Sequence, residues 1–219
     1  MRLILFFAFL LAAAPSFAQA KCAAPLYRAY TIVTDPAAVS RFDCIIGALD
    51  IRADGEVALP ALRMIYGALI VRNTRLQGFS APALEEVNGS LFIELNPNLT
   101  GVNLPKLGSL NGVHRIQGNP ALEALTLKAL GAINGKLDVF GNDGLMSLDL
   151  HALGGVNGSL RIWENGNLEL LGLRSFKALH GAFVVRRNPR LPEAPLLVLA
   201  NDLKKKSRLA RVKIAENKK

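Results

Sequence analysis

The chain has few of the residues from which catalytic and metal sites are usually built. Its 219 residues include two cysteines, three histidines and one tryptophan, and only 6% are aromatic. The histidines, His114, His151 and His180, fall at different positions of the repeat described below. We find no zinc-ligand spacing, no nucleophile elbow and no phosphate-binding glycine loop. We therefore expect a protein that is not an enzyme, with no catalytic residue, no metal and no cofactor.

Long apolar runs are missing from all but the beginning of the chain. There, Arg2 precedes an apolar stretch over residues 3–14 and an Ala-Gln-Ala motif at 18–20. This arrangement is typical of a secretory signal peptide, and the stretch is shorter than the roughly 20 residues of a membrane span. We expect residues 1–20 to be removed and the mature chain to begin at Lys21. The protein should be secreted or periplasmic, without a transmembrane segment.

The only two cysteines, Cys22 and Cys44, lie near the start of the expected mature chain. Thiols of exported proteins are normally oxidised, so we predict a disulfide between them. A pair of buried free thiols is the alternative. The bridge would tie an N-terminal cap, residues 21–46, to the first turn of the repeat.

Acidic residues are fewer than basic ones, 17 against 26, which gives a net charge of +9. The excess is concentrated in residues 202–219, where eight lysines or arginines stand against two acidic residues. One interpretation of this basic tail is a weak, salt-sensitive contact with an anionic surface. The other is the solvated face of a helix that caps the fold.

The chain is rich in one repeated pattern, which is marked by glycine. The repeated glycines are Gly47, Gly67, Gly89, Gly112, Gly135, Gly158 and Gly181, and the last four intervals are each 23 residues. Apolar residues two apart follow each glycine, as Leu137 and Val139 follow Gly135. This alternation, rich in β-branched residues, predicts a short strand with one buried face.

An asparagine recurs seven residues after the glycine in most turns of the repeat. The series is Asn96, Asn119, Asn142, Asn165 and Asn188. Identical amides at one position of stacked turns can hydrogen bond along the stack and cap a bend. We predict a structural asparagine ladder.

Each turn carries more inward leucines than it can bury alone, for example Leu145, Leu148, Leu150 and Leu153. Stacked turns about 4.8 Å apart would enclose them in one continuous core. The sequence therefore predicts an all-β solenoid, a single-stranded right-handed parallel β-helix of about seven 23-residue coils, leucine-rich-repeat-like in its pattern. The repeats should occupy residues 47–192. Residues 193–219 should form a C-terminal helical cap and basic tail, with a helix over 193–209 and a further strand ending at Asn217.

A cysteine pair followed by coils of the form L-x-x-L-x-L-x-x-L-x-x-I-x-G-x-L-x-I-x-x-N-x-x-L resembles the receptor L domain family, in its bacterial secreted type. The likeness covers residues 22–217. It implies a right-handed β-helix whose role is binding. The second cysteine pair and the cysteine-rich module of the animal receptors are missing, so the resemblance does not carry receptor function with it.

Outward positions three and five residues after the glycines provide the candidate binding residues. These are Phe92, Arg115, Phe140, Arg161, Trp163 and Arg186. Aromatic and arginine side chains are enriched at interfaces, and aromatic rings also suit stacking against sugars. The alternative is that they only cover a solvated sheet. Asp138 lies among them and should project from the same face.

The sequence thus favours a secreted, non-catalytic binding module whose partner, an unknown protein or glycan, docks on the exposed sheet. One alternative is a glycan-active β-helix enzyme, which needs carboxylates about 5–9 Å apart. Asp138 and Glu94 do not form such an acidic stack, because Arg115 stands on the coil between them. The other alternative is a structural envelope protein.

Overall fold

A computed structural model describes residues 22–206 and 211–219, so the expected signal peptide lies outside the described residues. These residues form a parallel β-solenoid of about seven coils, which confirms the predicted fold class. Along the chain the strands are β1 (Pro25–Val33), β2 (Cys44–Ile51), β3 (Gly55–Ala58), β4 (Met64–Tyr66), β5 (Leu69–Arg72), β6 (Leu76–Ser80), β7 (Glu86–Val87), β8 (Leu91–Glu94), β9 (Gly101–Asn103), β10 (Ser109–Gln117), β11 (Ala124–Thr126), β12 (Ala132–Phe140), β13 (Ser147–Asp149), β14 (Gly155–Val156), β15 (Leu160–Trp163), β16 (Leu170–Gly172), β17 (Ala178–Leu179), β18 (Ala182–Arg186) and β19 (Arg211–Ala215).

Each coil contributes to three faces of the solenoid. The side face holds β4, β7, β14 and β17, and the front face holds β5, β8, β15, β18 and β19. The long strands β1, β2, β10 and β12 run through both, so the two faces form one 13-stranded sheet. The back face is a six-stranded sheet of β3, β6, β9, β11, β13 and β16.

The sheet bends between its side and front faces at the repeated glycine. Gly135 has a φ of 149°. A Cβ at Gly135 would collide with the carbonyl oxygen of Gly112 in the preceding coil. In most coils glycine recurs at this corner because the backbone of the preceding coil leaves no room for a Cβ, and at Gly135 the positive φ also favours glycine.

The core is one apolar column that runs through the coils. In a central coil the inward residues are fully or almost fully buried; they are Ile133, Leu137, Val139, Leu145, Leu148, Leu150 and Leu153. Equivalent residues of the neighbouring coils lie directly above and below, because the strands pair in parallel without a shift, as in Leu137 opposite Leu160. The predicted stacking of inward leucines is therefore confirmed.

The sheet extends beyond the predicted repeat range of residues 47–192 at both ends. Strand β1 pairs in parallel with β2 and adds a rung before Gly47. The Cys22–Cys44 disulfide, with a Cα–Cα distance of 5.7 Å, joins the chain just before β1 to the start of β2 and confirms the predicted bridge. A single turn of 3₁₀ helix, Pro36–Ala38, lies between the two strands.

At the other end, helix α1 (Ala194–Lys206) packs against the solenoid, and β19 adds a rung after β18. The helix predicted over residues 193–209 is confirmed as far as residue 206, and residues 207–210 lie outside the described part of the chain. Among the described residues no helix has the length and apolar character that crossing a membrane requires.

Candidate functional site

The front face carries the candidate binding residues, and its aromatic pair is stacked. Phe140 of β12 lies in register with Trp163 of β15. Their ring centroids are 4.1 Å apart and their planes differ by 10°. The two rings therefore form one partly exposed aromatic surface.

Arg161 joins this aromatic pair to the neighbouring coil. Its Nε and one terminal nitrogen each donate a hydrogen bond of 2.6 Å to the Asp138 carboxylate. Its guanidinium also lies 5.5 Å from the centre of the Trp163 ring. Two parallel, charge-assisted hydrogen bonds fix the orientation of the arginine. A cation–π contact of this kind further limits the movement of the indole.

A second cluster of the same kind surrounds Glu94, nearer the N-terminal end of the front face. The Glu94 carboxylate accepts a hydrogen bond of 3.2 Å from Arg115 and pairs with Arg72. The Arg72 guanidinium lies 5.5 Å from the centre of the Phe92 ring. Phe92 and Arg115 thus belong to one cluster, separate from the pair formed by Phe140 and Trp163.

The outward carboxylates of the front-face strands are buried rather than exposed. Asp50, Glu94 and Asp138 are each only 2–3% exposed, because arginines of the same or adjacent rungs lie over them. Asp138 lies on the outward side of the sheet, as expected, but Arg161 covers it, so its carboxylate is not exposed to solvent. The arginine side chains are long enough to span one rung and close over a shorter acid.

This burial leaves the surface of the front face basic and aromatic. Among the described residues, the basic side chains that point outward from it are Arg52, Arg72, Arg115, Lys136, Arg161, Arg186, Arg211 and Lys213. No exposed carboxylate accompanies them on these strands. The face therefore presents a positive potential to any partner.

The C-terminal end of the front face contains a groove of about 330 Å³. The small side chains of β18, Ala182 and Val184, lie between the longer ones of β15 and β19. The lining residues are Ser159, Arg161, Trp163, Ala182, Val184, Arg186, Arg211 and Lys213. The groove thus includes three of the predicted binding residues: Arg161, Trp163 and Arg186.

Arg211 and Lys213 were not among the predicted binding residues. Their strand is predicted, but the outward positions counted forward from the repeated glycines end at Arg186. The step from Asn188 to Asn217 is 29 residues rather than the usual 23, because helix α1 is inserted in this coil. Counting back from Asn217 instead of forward from Gly181 would have placed both side chains on the front face.

The asparagine series forms the predicted ladder at the corner between the front and back faces. Its members are fully buried; they are Asn96, Asn119, Asn142, Asn165 and Asn188. The Asn142 side-chain nitrogen donates to the Oδ1 of Asn165 and to the carbonyl of Ile116, at 3.2 and 3.0 Å. Thr74 and Asn217 extend the ladder at its two ends. These amides are structural, since neighbouring coils occupy their hydrogen-bonding groups.

The histidines do not come together. His114 is buried in the core, where its Nδ1 accepts a hydrogen bond of 3.2 Å from the Leu91 N–H. Burial lowers the pKa of His114 to about 4. His151 is exposed beside Asp149, and His180 is exposed on the side face. Within residues 22–206 and 211–219, no three His, Cys, Asp or Glu side chains are grouped as metal ligands.

No protein-family model, curated protein or solved structure matches this chain. The resemblance to the receptor L domain therefore rests on the motif of its coils. The indication of function comes from the geometry and charge of the front face.

Proposed function

We propose that this protein is an exported, non-catalytic binding module that docks its partner on the front face. The observation that carries this proposal is the separation of charge on that face. Its carboxylates are buried beneath arginines, whereas the stacked Phe140–Trp163 pair and the basic side chains remain in contact with solvent. Tryptophan and arginine are the residues that most often dominate binding energy at interfaces.

The candidate residues are also preorganised. Phe140 holds Trp163 by stacking, and Asp138 holds Arg161 by two hydrogen bonds. Both strands belong to the parallel sheet, whose coils are fixed by the continuous core. Ordering flexible side chains is one of the main costs of association, so a surface that is already ordered binds at a lower cost.

The same contacts favour binding over glycan hydrolysis. A hydrolase needs one carboxyl group that donates a proton and a second that acts as base or nucleophile. On the front face, Glu94 pairs with Arg72 and Arg115, and Asp138 pairs with Arg161 and Lys136. Carboxylates that already accept from two basic side chains and are buried beneath them are poorly placed to exchange a proton with a substrate.

Substitution of the exposed aromatic anchor tests this proposal. The mature protein and its Trp163→Ala variant are applied to an array of glycans and envelope extracts, and retained partners are then titrated. We expect Trp163→Ala to weaken binding by about 2 kcal/mol or more, roughly 30-fold, as loss of an interface hot spot does. Circular dichroism should show that the variant is folded, because Trp163 lies outside the core.

Two further variants act as controls. Leu170→Ala removes a large side chain that is 66% exposed on the back face, and binding should not change. A combined change of Lys204, Lys205 and Lys206 to Gln removes charge from the basic tail and should reduce only a salt-sensitive component. If Trp163→Ala leaves the affinity for a partner unchanged and the triple lysine variant abolishes its binding, the binding site lies on the tail. Absence of any partner would favour a structural envelope protein.

A further inference from the structure

We propose that the groove over β18 is a subsite for one acidic sugar unit of a glycan, with the sugar ring against Trp163 and its carboxylate or sulfate group held by Arg186, Arg211 and Lys213. This inference rests on the proposed function, because it assigns a ligand class to one part of the front face.

The groove owes its shape to the heights of the side chains on three successive rungs. In the register of the sheet, Val184 lies between Arg161 and Lys213, and Ala182 lies beside Arg211. Ala182 and Val184 on the central rung and long residues on both neighbours produce a trough about 10 Å wide between the outer strands, and Arg186, which lies on the central rung opposite Trp163, borders one end of it. This trough, of about 330 Å³, has the size of a pocket for one small ring.

The polar groups of the groove are hydrogen-bond donors. Ser159 Oγ accepts a bond of 3.0 Å from the Ala182 N–H, which leaves its hydroxyl proton for another acceptor. Arg161 is already paired with Asp138. By contrast, the side chains of Arg186, Arg211 and Lys213 form no hydrogen bond and no ion pair within 4 Å among the described residues, although the charges of Arg186 and Lys213 help to lower the pKa of Glu216. The nearby acid Glu216 is paired with Arg187 at 2.7 Å.

The polar groups of the lining are donors and cations, so they favour a ligand that is rich in acceptor oxygens. Carboxylate and sulfate groups meet this requirement, and arginine binds such planar or multidentate anions through several nitrogens at once. A neutral sugar would leave the cations unpaired, and a cationic ligand would be repelled by them. Because the groove is positively charged, the sugar that it binds should be acidic.

The other walls of the groove are apolar. Phe140 packs against Trp163 from the β12 side, while Trp163 lines the groove on the β18 side. The floor consists of Ala182 and Val184. A sugar ring presents a face of C–H groups that packs well on an aromatic ring and on such a floor, while its acidic substituent reaches the basic wall.

Two observations favour a glycan over a nucleic acid or a protein segment. Proteins that bind single-stranded nucleic acid stack successive bases on successive aromatic residues, whereas a single aromatic stack borders this groove. The volume fits one ring, not a helix or a strand.

The experiment uses Trp163 itself as the probe, since it is the only tryptophan in the chain. The mature protein is titrated with oligogalacturonate, with a sulfated oligosaccharide and with a neutral galactan oligomer of equal length, and tryptophan emission is recorded. Sodium acetate and sodium sulfate at matched charge serve as anions without a ring. We expect a saturable change in emission with at least one acidic oligosaccharide and none with the neutral oligomer or the simple salts.

Variants then locate the binding. Arg211→Gln combined with Lys213→Gln should lower the affinity for the acidic oligosaccharide at least tenfold. Lys106→Gln combined with Lys128→Gln removes the same charge from exposed positions away from the front face and should change affinity less than twofold. Circular dichroism of both double variants controls for folding.

The possible failures can be distinguished. If an array partner depends on Trp163 but neither acidic oligosaccharide changes the emission, or the Arg211/Lys213 variant binds them normally, the acidic-sugar subsite is overturned and the proposed function stands. Tighter binding of single-stranded DNA than of either acidic oligosaccharide would also overturn it. If no ligand of any class depends on Trp163, both proposals fail.

Discussion

At the scale of single residues, His114 is the exception in the apolar core. Leu91 and Leu137 occupy the same inward position in the adjacent coils, in register with His114. The Nδ1 of His114 accepts from the Leu91 N–H, so the neutral ring carries its proton on Nε2, which has no partner among the described residues. Loss of solvation disfavours the charged ring, which is why the pKa of His114 is lowered to about 4.

This lowered pKa predicts that acid destabilises the solenoid through His114. The unfolded chain takes up a proton at this residue near pH 6.5, and the folded chain does so only near pH 4. The contribution of the neutral, buried His114 to the free energy of unfolding is therefore fully present above about pH 6.5. It falls by up to about 3 kcal/mol as the pH drops to 4. Urea unfolding of His114→Leu should show a flatter pH dependence than that of the wild type over this window. Slopes are compared because the variant also removes the acceptor of the Leu91 N–H.

His151→Gln is the matched control for this measurement. His151 is exposed on the surface, so its replacement removes a histidine while leaving the core and His114 intact. If His114→Leu and the wild type lose stability in parallel, burial of His114 is not the source of the acid sensitivity.

Adjacent residues on β12 allow inward and outward positions to be compared directly. Leu137→Ala should cost about 2–5 kcal/mol, because coils on both sides enclose the cavity it leaves. Asp138→Ala should cost about 1–3 kcal/mol, because the carboxylate is buried and accepts two hydrogen bonds from Arg161. Glu123→Ala replaces a solvated surface residue and should change the free energy of unfolding by less than about 0.5 kcal/mol. If the denaturation midpoints of Asp138→Ala and Glu123→Ala are equal, the buried ion pair contributes nothing to stability.

At the scale of structural elements, the asparagine ladder holds successive coils in register at one corner. Each amide satisfies backbone and side-chain groups of its neighbours, so removing one breaks several hydrogen bonds of buried groups. Asn142→Ala removes the acceptor of the Asn119 N–H, one of the two acceptors of Asn119 Nδ2 and a donor to the Ile116 carbonyl. We expect a loss of about 3 kcal/mol or more in the free energy of unfolding, since each such group costs about 1–3 kcal/mol.

Asn134→Ala provides a control within the same coil. Asn134 is exposed on the side face and accepts one hydrogen bond of 3.0 Å from Asn157. Its replacement should have a small effect on stability, because water takes the place of the lost partner. Equal losses for the two asparagines would contradict the assignment of the buried series as the one that supports the fold.

The C-terminal elements connect the cap of the solenoid to the candidate binding site. Leu196, Ala200 and Leu203 are buried at the i, i+4, i+7 spacing of one helix face, which packs α1 against the solenoid. The chain then returns to the front face as β19 and pairs with β18. Without this return Arg211 and Lys213 would not reach the sheet. The basic tail is therefore divided between the helix surface and the groove.

At the scale of the whole molecule, periodicity explains which features the sequence predicts well. A repeat of constant length brings equivalent residues into register, so the core, the ladder and the position of Phe140 beside Trp163 follow from positions alone. The burial of Glu94 and Asp138 does not follow, because it depends on how arginine side chains cross from one rung to the next. The groove does not follow from the repeat either, because the insertion of α1 breaks the 23-residue period before Arg211.

The N-terminal end of the solenoid depends on a covalent link to its first rungs. Strand β1 is the terminal rung and pairs with β2 along one edge, and the Cys22–Cys44 bridge ties the chain before β1 to the start of β2. Closing a loop between residues 22 apart in sequence stabilises the fold by about 3 kcal/mol in the chain-entropy model. In a solenoid each coil contacts mainly its neighbours, so loss of the bridge should act locally. Hydrogen exchange of the Cys22→Ala/Cys44→Ala variant should therefore show fast exchange in β1, with β10 and β12 still protected. Uniformly increased exchange along the whole chain, or two free thiols in mass spectra of the purified wild-type protein, would contradict a bridge that stabilises this end.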